Sequence, residues 1–175
     1  MNGSPDIRVT LGRCDDMRAE VFVRLEGGEE HAVLEGTITG PRRGRDVTLP
    51  STTRLVPLPA ATGATAVSRA ILTEPAFWTP DLPNLYRVEA TSRDAAQGAA
   101  VAFDASVGLR RLGVRGRSFW LDGRRWVPRA IAADLAAAAA REAGVGLLVT
   151  SPTEQFLTAA DEMGVAVVAV VGSGE

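Results

Sequence analysis

The sequence predicts a mainly β protein with an α/β tail: an antiparallel β-sandwich over residues 1–108, a junction strand and β-hairpin over 109–127, and a β-α-β-α-β segment over 128–175. Three observations predict it. Up to Val107, short stretches alternate apolar and polar residues with a period of two and are separated by Gly, Pro and charged turns. From Trp126 onward the period becomes helical and the remaining apolar runs lose their alternation. Between the two regimes lies E-P-A-F-W-T-P-D-L-P-N-L-Y, Glu74 to Tyr86, answered downstream by G-L-R-R-L-G-V-R-G-R-S-F-W-L-D-G-R-R-W-V-P-R-A-I, Gly108 to Ile131.

The sandwich strands follow in order. Ile7–Leu11 alternates, and Arg18–Leu25 places Val21, Val23 and Leu25 on one face. Gly27-Gly28-Glu29-Glu30 is a turn, and His31–Thr39 returns as a strand. Pro41-Arg42-Arg43-Gly44-Arg45 forms a second polar turn before Val47–Leu49. Arg54–Leu58, Ala66–Leu72, Leu85–Ala90 and Ala99–Val107 complete the set. Seven or so short strands at close spacing suit a sandwich of about a hundred residues.

In the proline stretch, Pro75, Pro80 and Pro83 fix φ and remove donors, so it is a rigid extended connection rather than a helix or central strand. Phe77, Trp78, Leu82, Leu85 and Tyr86 give it apolar surface that favours packing over the end of a sheet. Further on, Asp122-Gly123 between Phe119–Leu121 and Arg124–Val127 predicts a tight type I′ hairpin, whose two central residues need positive φ.

The tail counts Val127–Ile131 as its first strand. Asp134 is placed to cap a helix over Leu135–Ala143 that stops at Gly144, and Val145–Val149 reads as a strand covered on both faces. Ser151-Pro152-Thr153-Glu154 has capping-box spacing with proline at the first helical position. Phe156, Leu157, Ala160 and Met163 share one face of that helix, Gly164 ends it, and Val165–Val171 is the last strand.

Composition narrows the classes of function. With 175 residues, 46% hydrophobic and 23% charged, the chain has a globular composition and can bury a core. A net charge of −2 gives no global attraction to nucleic acid or an anionic membrane. Cys14 is the single cysteine, which excludes an intrachain disulfide and a Cys-cluster zinc site. The N-terminus has no apolar leader segment and no apolar run is long enough to span a bilayer, so the expected location is cytoplasmic.

The ordered pair P-x-x-W-x-P-D-x-P-x-L-Y and G-L-R followed by F-W-L-D-G-R-R-W-V-P-R-A resembles the immunoglobulin-like sandwich and sandwich-to-barrel junction of family 2 glycoside hydrolases, the β-galactosidase, β-glucuronidase and β-mannosidase relatives. Asp122 stands where that family usually has Asn, and Ala130 where Gly is expected. The resemblance covers residues 6 to 171 and implies an immunoglobulin-like β-sandwich leading into the first strands of a truncated TIM barrel, with the hairpin capping the barrel's base.

The same resemblance implies what is missing. A closed barrel needs eight parallel strands, and this stretch supplies three. The family's acid/base glutamate follows an Asn near the end of the fourth strand and its nucleophile glutamate ends the seventh, positions this sequence does not reach. Its R-x-S-H after strand two is replaced by Val149-Thr150-Ser151-Pro152, and its acidic residue at the end of strand three by Val170-Val171-Gly172.

Other chemistry is weighed residue by residue. Asp15-Asp16, Glu29-Glu30 and Asp161-Glu162 are the adjacent carboxylate pairs; neighbours on a strand point to opposite faces and those in turns are solvated. His31, the single histidine, begins a strand beside a charged turn and reads as solvated rather than as a general base. Cys14 has only Arg13 nearby to lower its pKa. No Gly-x-Gly-x-x-Gly follows a tail strand, and Gly172-Ser173-Gly174 has no helix after it, so no cofactor is expected. The Arg42-Arg43-Arg45 turn is a candidate anion contact, and the stretch Arg110, Arg111, Arg115, Arg117, Arg124, Arg125 and Arg129, alternating with apolar residues, could line one sheet face and bind an acidic partner or nucleic acid, a reading disfavoured because Trp120 and Trp126 have a better use in packing.

The expected function is that of a non-catalytic module in binding, assembly or scaffolding, with no metal and no cofactor. The alternative is a fragment or subunit of a family 2 glycosidase acting on β-glycosides, its glutamates supplied by missing sequence or another chain. Trp78, Trp120, Trp126, Arg110 and Arg125 are the candidate contacts for a carbohydrate or partner. An open three-stranded parallel sheet also calls for cover by a homodimer or partner chain.

Overall fold

The computed structural model describes residues 6–26, 33–44, 49–59, 66–93, 100–132 and 136–170, which form two compact units. The first comprises Met1–Pro41, Leu49–Ala76 and Tyr86–Val107; the second comprises Arg42–Thr48, Phe77–Leu85 and Gly108–Glu175.

The first unit is an antiparallel β structure built from β1 (Asp6–Cys14), β2 (Arg18–Glu26), β3 (Val33–Arg42), β4 (Ser51–Pro57), β5 (Ala66–Thr73), β6 (Leu85–Arg93) and β7 (Ala100–Val107), in the spatial order β1-β2-β5-β4-β3-β6-β7. β4 curls the sheet into two layers: Ser51–Leu55 pair with β3, whereas Val56 and Pro57 pair with β5. The predicted period of two is visible in the burial. Ala19, Val21, Val23 and Leu25 of β2 and Ala66, Ser68, Ala70 and Leu72 of β5 face inward against Leu34, Ile38, Leu55, Val88 and Ala90. Ser68 is the polar member of that layer, and its Oγ donates to the Leu34 carbonyl. The strand expected at Val47–Leu49 is not formed at Leu49, which is 96% exposed and precedes Pro50; β4 begins at Ser51, once the proline with its missing N–H is past. Val47 and Thr48 lie outside the described residues, as do the Gly27–Glu30 turn and His31. The polar turn expected from Pro41 starts later, because the β3 ladder runs on to Arg42.

The second unit carries two small sheets. β8 (Leu112–Arg115), β9 (Ser118–Leu121) and β10 (Arg124–Trp126) form an antiparallel ribbon in the order β10-β9-β8. Asp122 and Gly123 have φ of 48° and 74°, the type I′ combination that Asp-Gly predicts. β11 (Ala130–Ile131), β12 (Gly146–Thr150) and β13 (Val167–Val170) form a parallel sheet in that order, connected through α1 (Ala137–Glu142) and α2 (Glu154–Met163). This is the β-α-β-α-β order the periodicity indicates.

Details of the tail differ from expectation. β11 is two residues long rather than Val127–Ile131. Asp134 lies outside the described residues, and the N-cap of α1 is Ala136, which offers no side-chain acceptor. α2 starts two residues later than a Ser151 cap implies: the Thr153 hydroxyl accepts from Phe156 N–H at 3.2 Å, and Pro152 precedes the helix instead of opening it. Gly164 ends α2 in the left-handed conformation, with φ of 70°. The tail core is Ala137, Ala140, Leu147, Ala160 and Val165, flanked by Val145, Val149, Phe156 and Val167. Both helices therefore cover one face of the sheet. The strands are not enclosed on both sides as expected, and Leu148, Val168 and Val170 of the opposite face are exposed. Leu157 and Met163, expected to pack, are likewise more than a third exposed.

Candidate functional site

The candidate site lies within the second unit and is built around the tryptophan of the proline segment. Trp78 is 2% exposed. Its backbone N–H donates to the Leu109 carbonyl at 2.8 Å, and its indole Nε1 donates to the Asp161 carbonyl on α2 at 2.9 Å. The Arg110 guanidinium stacks over the indole, with Cζ 4.1 Å from the ring centroid. Arg110 donates to the Gly108 carbonyl at 3.2 Å and forms an ion pair with the Asp161 carboxylate. A Cβ at Gly108 would sit 2.8 Å from the indole, so glycine is what lets the ring lie against the chain.

Neighbouring contacts fix the rest of the segment. Asn84 Nδ2 donates to the Phe77 carbonyl at 3.1 Å, and the Leu82 N–H donates to Thr79 Oγ1 at 3.1 Å. Arg141 donates to the Pro80 carbonyl, and a Cβ at Gly164 would come within 2.3 Å of that oxygen. Arg111 stacks over Phe77 at 4.8 Å and donates to Asp122 Oδ1 at 2.8 Å, which ties the hairpin turn to the same segment.

These contacts leave a hollow of about 580 Å³ between the ribbon, α2 and β13. Its walls are Trp78, Leu112, Phe119, Leu121, Trp126, Pro128, Leu157, Ala166, Val167 and Val168, with Arg110 and Asp161 as the charged pair. Of the residues singled out from sequence, Trp78, Trp126 and Arg110 therefore meet at one hollow. Trp120 and Arg125 do not: cross-strand neighbours in the β9–β10 register, they occupy the opposite face of the ribbon, where Arg115 stacks over Trp120 at 4.6 Å. Phe119 and Leu157 were not singled out as site residues, because an apolar side chain on a strand or helix gives no sign of which face it shares with a distant tryptophan.

The hollow is apolar, and its charges neutralise each other. Among the described residues lining it, Asp161 is the one carboxylate, and Glu162 is exposed, so the Asp161-Glu162 pair does not converge. Asp15 is also structural, its Oδ1 accepting from Met17 and Arg18 N–H at 2.8 and 2.9 Å. Glu29, Glu30 and His31 lie outside the described residues; Cys14 is a half-buried thiol on β1. Clear pKa displacements occur in the first unit. Burial raises the Tyr86 phenol, with a smaller opposing effect from the Ala76 N–H that donates to its oxygen at 2.9 Å. A bidentate hydrogen bond from Arg87 lowers the Asp104 carboxyl, and the same bond raises Arg87.

Comparison with known proteins places this architecture. No family model matches the chain, and no curated protein matches it. Solved structures do. The chain is similar to Bifidobacterium dentium β-glucuronidase in complex with coumarin-3-O-glucuronide, at 16% identity and TM-score 0.66, over 95% of this chain and 30% of that one. It is similar to Bacteroides uniformis β-glucuronidase 2, at 19% identity and TM-score 0.58, over 93% of this chain and 22% of that one. A putative β-galactosidase from Bacteroides fragilis gives 19% identity and TM-score 0.63, over 92% and 27%. The chain thus has the fold of part of a family 2 glycoside hydrolase, an antiparallel sandwich followed by the opening of a parallel β/α barrel. It spans between a fifth and a third of the length of those structures. No helix among the described residues is long and apolar enough to cross a membrane.

Proposed function

We propose that this chain is a non-catalytic module of a family 2 glycosidase-like assembly, whose second unit offers the first three strands of a parallel barrel for further polypeptide to complete. The observation that carries this reading is the one-sided cover of the parallel sheet. Leu148, Val168 and Val170 are 38%, 42% and 42% exposed on the face away from both helices, and among the described residues β13 is an edge strand. Apolar surface of this kind favours burial, and an open parallel edge favours pairing. The covering polypeptide is a second copy, a partner chain, or sequence continuous with this one. The hydrolysis of β-glycosides, suggested by the names of the similar structures, would then draw its two carboxylates from that polypeptide. Carbohydrate binding by this chain alone is a weaker reading, since Trp78, the best placed of the tryptophans, has its ring occupied by Arg110 and its N–H by Asp161.

The test uses the purified chain with 4-nitrophenyl β-glucuronide and β-galactoside, alongside 8-anilinonaphthalene sulfonate and light scattering. No hydrolysis is expected, together with strong dye fluorescence or self-association, and Val168→Glu should diminish whichever of the two occurs. Hydrolysis by the chain alone that is lost in Asp161→Asn overturns the proposal.

A further inference from the structure

The face of the β8-β9-β10 ribbon opposite the hollow is a separate feature, and neither the fold nor the proposed assembly uses it. The segment Leu112–Ile131 contains five arginines and one carboxylate, in a chain whose net charge is −2. That carboxylate, Asp122, is held by Arg111. Arg115 and Arg125 on this face and Arg117 in the turn between β8 and β9 are exposed, and none of them has a carboxylate partner among the described residues, whereas Arg124, opposite Leu121, belongs to the hollow's side of the ribbon.

Register places three groups side by side. Trp120 lies opposite Gly113 on one neighbouring strand and Arg125 on the other. Arg115 projects from the same face and stacks on the indole at 4.6 Å, while Trp120 itself is only half-buried. A Cβ built on Gly113 meets nothing within 4 Å, so the surface beside the indole is open. A guanidinium held against a tryptophan has already lost much of its rotational freedom, and it presents a planar fork suited to carboxylates. Tryptophan and arginine are also the side chains in which the binding energy of protein interfaces is concentrated.

We propose that this face, centred on Trp120 between Arg115 and Arg125, docks an acidic patch on a partner protein. The strands are three or four residues long, so at roughly 3.4 Å per residue the ribbon is only about 14 Å in length. A long polyanion such as nucleic acid or an acidic polysaccharide would run off it onto a surface whose remaining charge is negative. A compact acidic patch would not. Electrostatic complementarity of this kind sets partner choice and association rate, and it weakens with salt.

The test is fluorescence anisotropy with a labelled eight-residue Asp/Glu-rich peptide bearing one phenylalanine, compared with a twenty-nucleotide oligothymidylate and polygalacturonate. Peptide binding is expected at low salt and should weaken as salt is raised. The Arg115→Gln/Arg125→Gln variant should lose about tenfold or more in affinity, as should Trp120→Ala. Arg54→Gln, an exposed arginine of β4, should change it little. The proposal is overturned by absence of peptide binding at low salt, by equal loss in Arg54→Gln, or by tighter binding of either polymer through the same two arginines. None of these outcomes bears on the parallel sheet, whose own test reads dye binding and self-association.

Discussion

Replacing Trp78 separates a core residue from a ligand-stacking one, because the two roles predict opposite results. The side chain is 2% exposed, and truncating a buried tryptophan to alanine costs about 3–5 kcal/mol. Two parts of that cost have identifiable sources. The indole N–H bond to the Asp161 carbonyl is worth about 1 kcal/mol net. The Arg110 stack is worth about 0.5–1 kcal/mol, taken at the low end because the Arg110 side chain is 35% exposed. Trp78→Phe keeps most of the apolar volume and removes one of the two donors to the Asp161 carbonyl, which keeps the Gly164 N–H at 3.3 Å, so about 1 kcal/mol is expected. Trp120 and Trp126 remain as fluorescent reporters within the same unit, and urea titration followed by their emission gives the midpoint shift. Trp78→Phe guards against the alanine variant failing to fold. A shift equivalent to less than about 1 kcal/mol for Trp78→Ala, with loss of binding to any sugar, would refute the core assignment and make Trp78 a contact residue.

Other positions give independent checks. Gly36→Ala should be among the most damaging single changes in the first unit, at about 3 kcal/mol or more, because the new Cβ would lie 2.0 Å from the Glu89 carbonyl oxygen; thermal unfolding reads it. Tyr86 is the only tyrosine, so absorbance near 295 nm titrates it alone. Its folded pKa is raised, which means the folded state holds its proton longer than the unfolded state does. Stability present below about pH 10 is therefore lost as pH rises beyond it, and Tyr86→Phe should flatten that loss while costing about 1 kcal/mol at neutral pH. The lowered Asp104 works in the opposite direction: its contribution is present at neutral pH and disappears as acid protonates it, with Asp104→Asn removing that acid-side slope in pH-dependent melts. Gly123→Ala should destabilise the hairpin by about 1 kcal/mol through its φ of 74°, detectable as faster amide exchange at β9 and β10.

Local chemistry made much of this fold legible. The Asp122-Gly123 turn needed two residues that tolerate positive φ, and both adopt it. The alternation in Arg18–Leu25 reappears residue by residue as burial in β2. Helix starts were less legible, because a cap is defined by which side chain reaches an N–H and several hydroxyls compete. Ser151 and Thr153 both had the chemistry, and Thr153 had the geometry. The strand expected at Val47–Leu49 failed at Leu49, where the next residue is Pro50, which has no N–H to give to a ladder.

The site was harder to read, for a reason that Trp78 and Trp120 illustrate together. Both tryptophans sit beside arginines, and in both an arginine stacks on the ring. What separates them is the second partner. Trp78 also donates to α2, eighty-three residues away in sequence, and Arg110 reaches the Asp161 carboxylate on that same helix turn. That closes the polar requirements of the pair and leaves the indole buried. Among the described residues Trp120 has no hydrogen bond to a helix: its neighbours across the ribbon are Gly113, with open space above it, and Arg125. An arginine–tryptophan stack closed by a carboxylate serves packing, while one left without a carboxylate keeps a charge for a partner to meet. Composition alone counts the two stacks as equals, and only the register of the ribbon and the position of α2 tell them apart.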